Sequence, residues 1–374
     1  MSESAVLDIS QEEAFARIRL LRSPNVGPVS YAQLLRRFGN ARSAIDALQE
    51  LAGRGGAAYR AAPVDRIEAE IAAIRGAGAR YLFHDSPDYP ALLAECDGAP
   101  PILTIKGDVS LAACPAVAIV GARNASAAAV KLARDFAAAL AGHGLAVVSG
   151  LARGIDGAAH KGALSGSHGG GGTVGVIASG IDIAYPPEHA ALHEEVARDG
   201  LLVAEQPCGT EPLARHFPAR NRIIAGLAAG TLVVEAAPKS GSLITARLAG
   251  EFGREVMAVP GSPLDSRSHG CNQLIRDGAV LVQRPEDVIE LLEGFTGAAR
   301  SHFRESAEIS CFDHDAAPSD PADIAGLLTL APVSVDEIIR QSEATAAEVQ
   351  LALLELELAG KLHRHAAGRV SLAG

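Results

Sequence analysis

From about residue 80 the chain alternates short apolar runs with longer stretches in which apolar positions recur every three or four residues. The runs are AVAIV (116–120), LAVVS (145–149), TVGVIA (173–178), LLVAE (201–205), TLVVEA (231–236), EVMAVP (255–260) and AVLV (279–282). Between them lie helical patterns of roughly ten to fifteen residues, the signature of βαβ units around a parallel sheet covered on both faces. Seven such strands predict a doubly wound parallel-sheet α/β domain over residues 79–296. Ahead of it, EEAFARIRLLRS, YAQLLRRFG, ARSAIDALQEL and VDRIEAEIAAIRGAG carry helical spacing and predict a small helical domain over residues 1–78. The PNVGP turn between the first two resembles the hairpin of helix-hairpin-helix modules, whose backbone N–H groups can touch a phosphate. A SAM-like bundle that uses Gly27 only as a turn fits equally well.

Two stretches break the periodicity. GSHGGGG (166–172) reads as a flexible excursion, and residues 297–317 read as a polar linker without imposed structure. Beyond them, ADIAGLLTLA, SVDEIIRQS and TAAEVQLALLELELAG are helical, and KLHRHA and GRVSLA are short strands, the order of a winged helix over residues 318–374. Duplex-reading winged helices present basic residues on the recognition helix. Here the third helix has none, and Pro318 to Gly374 holds four basic against eight acidic residues, so packing or protein contact is the expected role.

Charge and composition narrow the rest. The 374 residues are 48% hydrophobic with a net charge of −11, an ordinary globular balance that opposes unspecific adhesion to polyanions but leaves one focused basic cleft open. No apolar stretch is long enough to span a membrane, and the N-terminal residues lack a signal peptide's basic and apolar regions, so a cytoplasmic location is expected. Cys96, Cys114, Cys208, Cys271 and Cys311 form no C-x-x-C pair, so neither a disulfide framework nor a zinc site is indicated. Neither G-x-G-x-x-G after the first strand nor G-x-x-x-x-G-K-[ST] occurs, nor G-x-S-x-G or H-E-x-x-H, which removes the usual supports for dinucleotide binding, P-loop hydrolysis and hydrolase or zinc-protease chemistry. No catalytic residue, cofactor or metal is expected.

In an open parallel sheet, ligands collect at the carboxyl ends of the strands. The unusual residues of this chain fall there. GARNAS follows the first run, GLARGIDGAAH the second, SGIDIAYPPEH the third, APKSGSLITA the fifth and GSPLDSRSHGCNQLI the sixth, while FPARNRIIAGL opens the helix between the fourth and fifth. Together they offer Arg123, Arg153, Arg220, Arg222 and Lys239 with Gly121, Gly150, Gly154, Gly241 and the hydroxyls of Ser240 and Ser242. Glycines admit close backbone approach, helix starts present free N–H donors, and guanidinium forks bind phosphate oxygens in pairs. Phe217 supplies a stacking face for a base or, alternatively, packs in the core. Asp156 and His160, four apart on one helix face, suit an acid/base pair or half a metal site. The preferred alternative sets Asp156 against the helix dipole or an arginine and His160 in packing.

IVGARNAS, VVSGLARGIDGAAHKGAL, GIDIAYPPEH, FPARNRIIAGL, LVVEAAPKSGSLITARLAGEFGREVMAVPG and GCNQLIRDGA together resemble the DNA-processing protein A (DprA/Smf) family over residues 80–295. The resemblance implies an extended Rossmann-like core in a homodimer that binds single-stranded DNA in natural transformation, protects it and helps load the RecA recombinase, without catalysis. Carried over residue by residue, it implies a phosphate ligand at Arg123 in the Gly121–Ala122–Arg123 element beside Asn124. It also implies a basic pocket wall from Arg215, Phe217, Arg220, Asn221 and Arg222, and a second wall from Lys239, Ser240, Gly241 and Ser242. The sequence departs from the family at Ala122, which lacks a hydroxyl, and at AEQPCG, which lacks a tyrosine. A different class, a nucleotide phosphoribohydrolase, shares the glycine-rich cradle and would need a carboxylate, for which Glu235 is the candidate.

Overall fold

The computed structural model describes residues 9–167, 170–293, 324–342, 344–365 and 368–373. The linker expected over 297–317 and Cys311 lie outside the described residues, as does part of the glycine-rich excursion. Two compact units form. Residues 70–302 make the larger, and residues 1–69 with 303–374 make the smaller. No helix among the described residues is long and apolar enough to cross a membrane.

The smaller unit begins with α1 (Gln11–Leu21), α2 (Pro28–Phe38) and α3 (Ala41–Arg54), and α4 (Val64–Gly76) runs across the boundary into the larger unit. Each start has a local cause. The Ser10 and Asn40 side chains accept N–H bonds at the starts of α1 and α3, and Pro28 opens α2, which Gly39 closes in a left-handed conformation.

The larger unit is a nine-stranded sheet. Its strands are β1 (Arg80–Phe83), β2 (Ile102–Gly107), β3 (Ala116–Gly121), β4 (Ala146–Ser149), β5 (Gly172–Gly180), β6 (Leu201–Gln206), β7 (Gly230–Val234), β8 (Glu255–Ala258) and β9 (Val280–Leu281), in the order β1-β2-β6-β5-β4-β3-β7-β8-β9. The seven expected strands are β3 to β9, and all pairings among them are parallel. The two further strands, β1 and β2, are joined through the short helix α5 (Ala91–Ala94) and continue the sheet with antiparallel pairings beyond β6. Chain order reverses between β3 and β7.

Alternate residues of β3 serve opposite faces: Val117 and Ile119 pack with Phe136 and Leu140 of α6 (Ala127–Gly142) and Ile155 of α7 (Ile155–Gly166). Ala118 and Val120 pack with Ile223 and Ile224 of α9 (His216–Leu227) and Ala246 of α10 (Gly241–Glu251). α8 (Ala190–Asp199) covers Leu202 and Ala204 of β6 with Leu192 and Val196. Strands β3 to β7 are therefore buried on both sides, which is why they read as unbroken apolar runs, whereas the edge strand β9 is exposed.

The remainder of the smaller unit is a winged helix whose described elements include β10 (Val333–Ser334), a helix over Val335–Gln341, a long helix over Ala346–Leu358, β11 (Leu362–His365) and β12 (Arg369–Leu372), with strand order β10-β12-β11. The Thr345 and Glu348 side chains cap the long helix reciprocally. This helix is apolar on two sides. Val349, Ala352, Leu353 and Leu356 enter the winged-helix core, whereas Leu351, Leu354 and Leu358 enter the core formed by α1 to α3. A helix with this pattern must be buried all round. At the same seam Gln33 Nε2 donates to Gln350 Oε1 at 3.0 Å, Asn25 Nδ2 donates to the Leu358 carbonyl at 3.0 Å, and Arg54 lies 3.6 Å from Glu355. Beyond that ion pair, neither Glu355 carboxylate oxygen has a close hydrogen-bond partner among the described residues.

Candidate nucleic-acid interface

At the carboxyl ends of β3, β4 and β5 a cavity of about 260 Å³ opens beside the start of α9. The loop after β3 contributes Arg123 and Asn124, the loop after β4 contributes Gly150, Ala152 and Arg153, and β5 with its following loop contributes Ile177 to Ser179, Tyr185 and Pro186. Phe217 and Arg220 close it from α9, with Pro212 just before the helix. The sheet geometry explains the place. β4 pairs with β5 only as far as Ser149 with Gly175, so the next carbonyls of both strands lose their neighbours as the strands diverge.

Arg220 fills that gap. Its Nη1 donates to the carbonyls of Gly150 (2.5 Å) and Val176 (2.6 Å), and the residue is 6% exposed. Gly150 is required by this arrangement, because a Cβ there would lie 2.0 Å from Arg220 Nη1. Asp156 packs beside the guanidinium and accepts the Gly150 N–H at 3.2 Å. Burial pushes the Asp156 carboxyl up, opposed by Arg220. Burial pulls Arg220 down to about 10, opposed by Asp156, so the guanidinium stays charged at neutral pH.

Arg123 is built differently. It is exposed and has no carboxylate partner among the described residues. Its guanidinium sits over the Phe217 ring, 5.2 Å from the centroid, while that of Arg220 lies at 5.9 Å. Tyr185 meets Phe217 edge to face at 5.7 Å and is 42% exposed. Two cations, two aromatic rings and the Asn124 amide thus share one small cavity. Arg153 lines it as well, tied at 2.5 Å to Glu188 in an exposed pair that water and other anions can exchange.

Other residues expected at the site lie elsewhere. The three polar residues of FPARNR diverge around α9. Arg222 pairs with Glu205 at the end of β6, and Asn221 Nδ2 donates to the Gly241 carbonyl at 3.4 Å. Lys239, Ser240, Gly241 and Ser242 form a separate cluster at the start of α10, where Ser240 caps the helix and its Oγ lies 2.8 Å from that of Ser242. None of these lines the cavity, nor does the exposed Arg215 at the start of α9. Two glycines read as ligand-facing instead admit the protein's own backbone. A Cβ on Gly121 would meet the Val234 carbonyl at 2.0 Å, and one on Gly154, whose φ is +74°, would meet that of Ala122 at 2.2 Å.

Tyr185 and Ser179 join the site although neither is among the residues expected there. The aromatic in the GIDIAYPPEH loop after β5 was the available signal. The acid/base reading of Asp156 and His160 finds no support, because both are buried and neither lines the cavity. The Leu151 N–H donates to His160 Nε2 at 3.2 Å, and Nδ1 lies 2.7 Å from Thr173 Oγ1, whose own hydrogen goes to the Val147 carbonyl. The ring is therefore the neutral Nδ1–H tautomer, and burial pushes its pKa down to about 3. Among the described residues no group of three or more His, Cys, Asp or Glu is placed to hold a metal ion.

Residues 80–293 match the family model described as DNA recombination-mediator protein A, residues 11–73 a DprA-like N-terminal HHH domain, and residues 313–368 a DprA winged helix domain. A putative DNA processing protein DprA from Mycobacterium tuberculosis is 36% identical over 356 residues, covering 90% of this chain and 85% of that protein. The crystal structure of DNA processing protein A from Streptococcus pneumoniae superposes with a TM-score of 0.57 at 41% identity, covering 61% of this chain and 78% of that one. DNA processing protein A from Helicobacter pylori, solved for its single-stranded DNA binding mode, gives a TM-score of 0.52 at 28% identity over 57% of this chain and 95% of that one.

Proposed function

Because the chain belongs to the DNA recombination-mediator protein A family, we propose that it binds single-stranded DNA, without regard to sequence, in the cavity at the ends of β3, β4 and β5. The observation that carries this reading is Arg123, an exposed guanidinium with no carboxylate partner among the described residues, resting on Phe217 beside a pinned Arg220. Arg220 is held by two carbonyls and supplies fixed positive potential. Arg123 has no such anchor. It turns from the ring to a backbone phosphate, joined by the Asn124 amide, and uncovers Phe217 for a base, with Tyr185 as the flanking ring. Phosphate contacts position the strand and stacking tolerates any base, so affinity follows salt more than sequence.

Family membership supports the wider role, in which the protein protects incoming DNA during transformation and recombination and helps load RecA, acting as a homodimer that joins two cavities into one path. The reading assigns no catalysis to the chain. A phosphoribohydrolase would need a free carboxylate over the glycosidic bond, and Glu235, the candidate, is tied to Ser126 and Arg267.

The test is the anisotropy of a labelled oligo-dT across a salt series. Arg123→Ala is expected to lower affinity and reduce the slope of log K against log salt by about 0.7, the value for one phosphate on a single strand. Wild-type affinity and slope in that variant would falsify the reading. Release of free base from nucleoside monophosphates would instead favour the hydrolase.

A further inference from the structure

Nucleotide-binding sheets of this type seat a phosphate where chain order reverses, at the N-terminus of the helix after the first parallel strand. In this chain that place lies between the ends of β3 and β7, facing the start of α6. It is filled from within. The Ser126 N–H and Oγ both donate to Glu235 Oε2, at 2.8 and 3.1 Å, and Arg267 Nε lies 3.1 Å from Glu235 Oε1. Glu235 follows β7 with a φ of 56°, a left-handed conformation sparsely populated by residues other than glycine. Its side chain is 8% exposed. A carboxylate held by a helix-start amide, a hydroxyl and a guanidinium has the partners that a bound phosphate takes.

The same residue grips the neighbouring loop at both ends. Its carbonyl accepts the Ala122 N–H at 2.7 Å, and its carboxylate accepts Ser126. Between those two anchors lie Arg123 and Asn124, the cavity residues contributed by this loop. We propose that Glu235 is an internal anion that occupies the phosphate seat of the α6 N-terminus and thereby positions Arg123 for the DNA strand. Two consequences are built in. Free nucleotides are excluded from the seat that the fold would otherwise offer them, and the phosphate-binding arginine sits one loop away, toward β4. The role given to Arg123 rests on the function proposed above; the occupation of the seat stands without it.

Full-length Glu235→Ala is compared with wild type and with Glu235→Gln, which keeps an acceptor oxygen for Ser126. Glu235→Ala is expected to bind oligo-dT about tenfold more weakly, the scale of a lost hydrogen bond to a charged group, with the flattened salt slope of Arg123→Ala. Potassium acetate should restore affinity by returning a carboxylate to Ser126, whereas potassium chloride of equal ionic strength should not. Glu235→Gln should keep most of the affinity. In the absence of DNA, the amide resonance of Ser126 should move in Glu235→Ala and return toward its wild-type position with acetate. Wild-type oligo-dT affinity in a folded Glu235→Ala protein, or a loss that acetate does not reverse, overturns the proposal. If Glu235→Ala does not fold, a Glu235→Gln protein that keeps its Ser126 resonance near the wild-type position yet loses oligo-dT affinity overturns it instead. Failure of the DNA-binding reading is separately visible, as an Arg123→Ala variant with undiminished affinity.

Discussion

The rim of the large sheet and the long helix of the winged helix are the two places where folds of these kinds commonly meet nucleic acid. This chain equips them in opposite ways. At the rim, loops from three strands and a helix start place Arg123, Arg153 and Arg220 around one cavity, within a chain whose net charge is −11. The long helix Ala346–Leu358 carries only acidic charges, and Leu351, Leu354 and Leu358 bury one side of it against α1 to α3. The contrast teaches that an architecture's usual binding element can be spent on packing, while binding potential follows where cations converge. It also divides the arginines by task. Arg220 is buried and doubly bonded to backbone, whereas Arg123 is exposed and rests on the Phe217 ring.

The sharpest way to break the contrast is at its most buried charge. Arg220→Ala leaves two carbonyls and Asp156 without their cation, and is expected to destabilise the larger unit by about 3–5 kcal/mol in denaturant titration. Arg220→Lys, lacking the fork, should recover little of it. A loss below about 1 kcal/mol, the net value of an ordinary hydrogen bond, would show that the bracket is ornamental. Leu354→Ala should cost the smaller unit about 2–5 kcal/mol while leaving single-strand affinity at the rim unchanged; a parallel loss of affinity would undo the separation of the two regions. Phe217→Ala should weaken oligo-dT binding by about 1–3 kcal/mol with little change in salt slope, and an altered slope with intact affinity would deny the ring a stacking role.

The smallest effect concerns pH. Burial raises the pKa of Glu355, with Arg54 and Arg37 opposing. The folded state therefore prefers the protonated acid. Between the unfolded and folded values the native state holds the extra proton, so the smaller unit should lose stability as pH rises from the ordinary glutamate range through the raised value. Glu355→Gln should flatten that slope. A slope equal to wild type would assign the dependence to other groups.

Much of this was legible in the chain. Apolar runs buried on both faces are uninterrupted, so β3 to β7 stand out, β8 and the exposed edge strand β9 are marked by apolar composition alone, and convergence of the loops follows from strand direction. β1 and β2 did not stand out, because RYLF is only four residues long and the antiparallel connection to ILTIKG lacks the long helical pattern that flags a βαβ unit. At the site, Arg123, Asn124, Gly150, Arg153, Phe217 and Arg220 meet at the cavity as the loop positions implied. Arg222 could have been separated from Arg220 in advance, since residues two apart on a helix face different ways. What Gly150 accommodates could not have been foreseen, because the group that needs its missing Cβ is Arg220, brought there only by the tertiary fold.

The division of the smaller unit between residues 1–69 and 303–374 carries a consequence for biosynthesis. Helices α1 to α3 leave the ribosome early, but Leu351, Leu354 and Leu358, which complete their core, are translated nearly 300 residues later. At ~5–20 residues per second the nascent helices wait from about a quarter of a minute to a minute with that apolar face uncovered. During this interval the sheet domain can mature, and the emerging amino-terminal segment is the stretch for which a chaperone has most to shield.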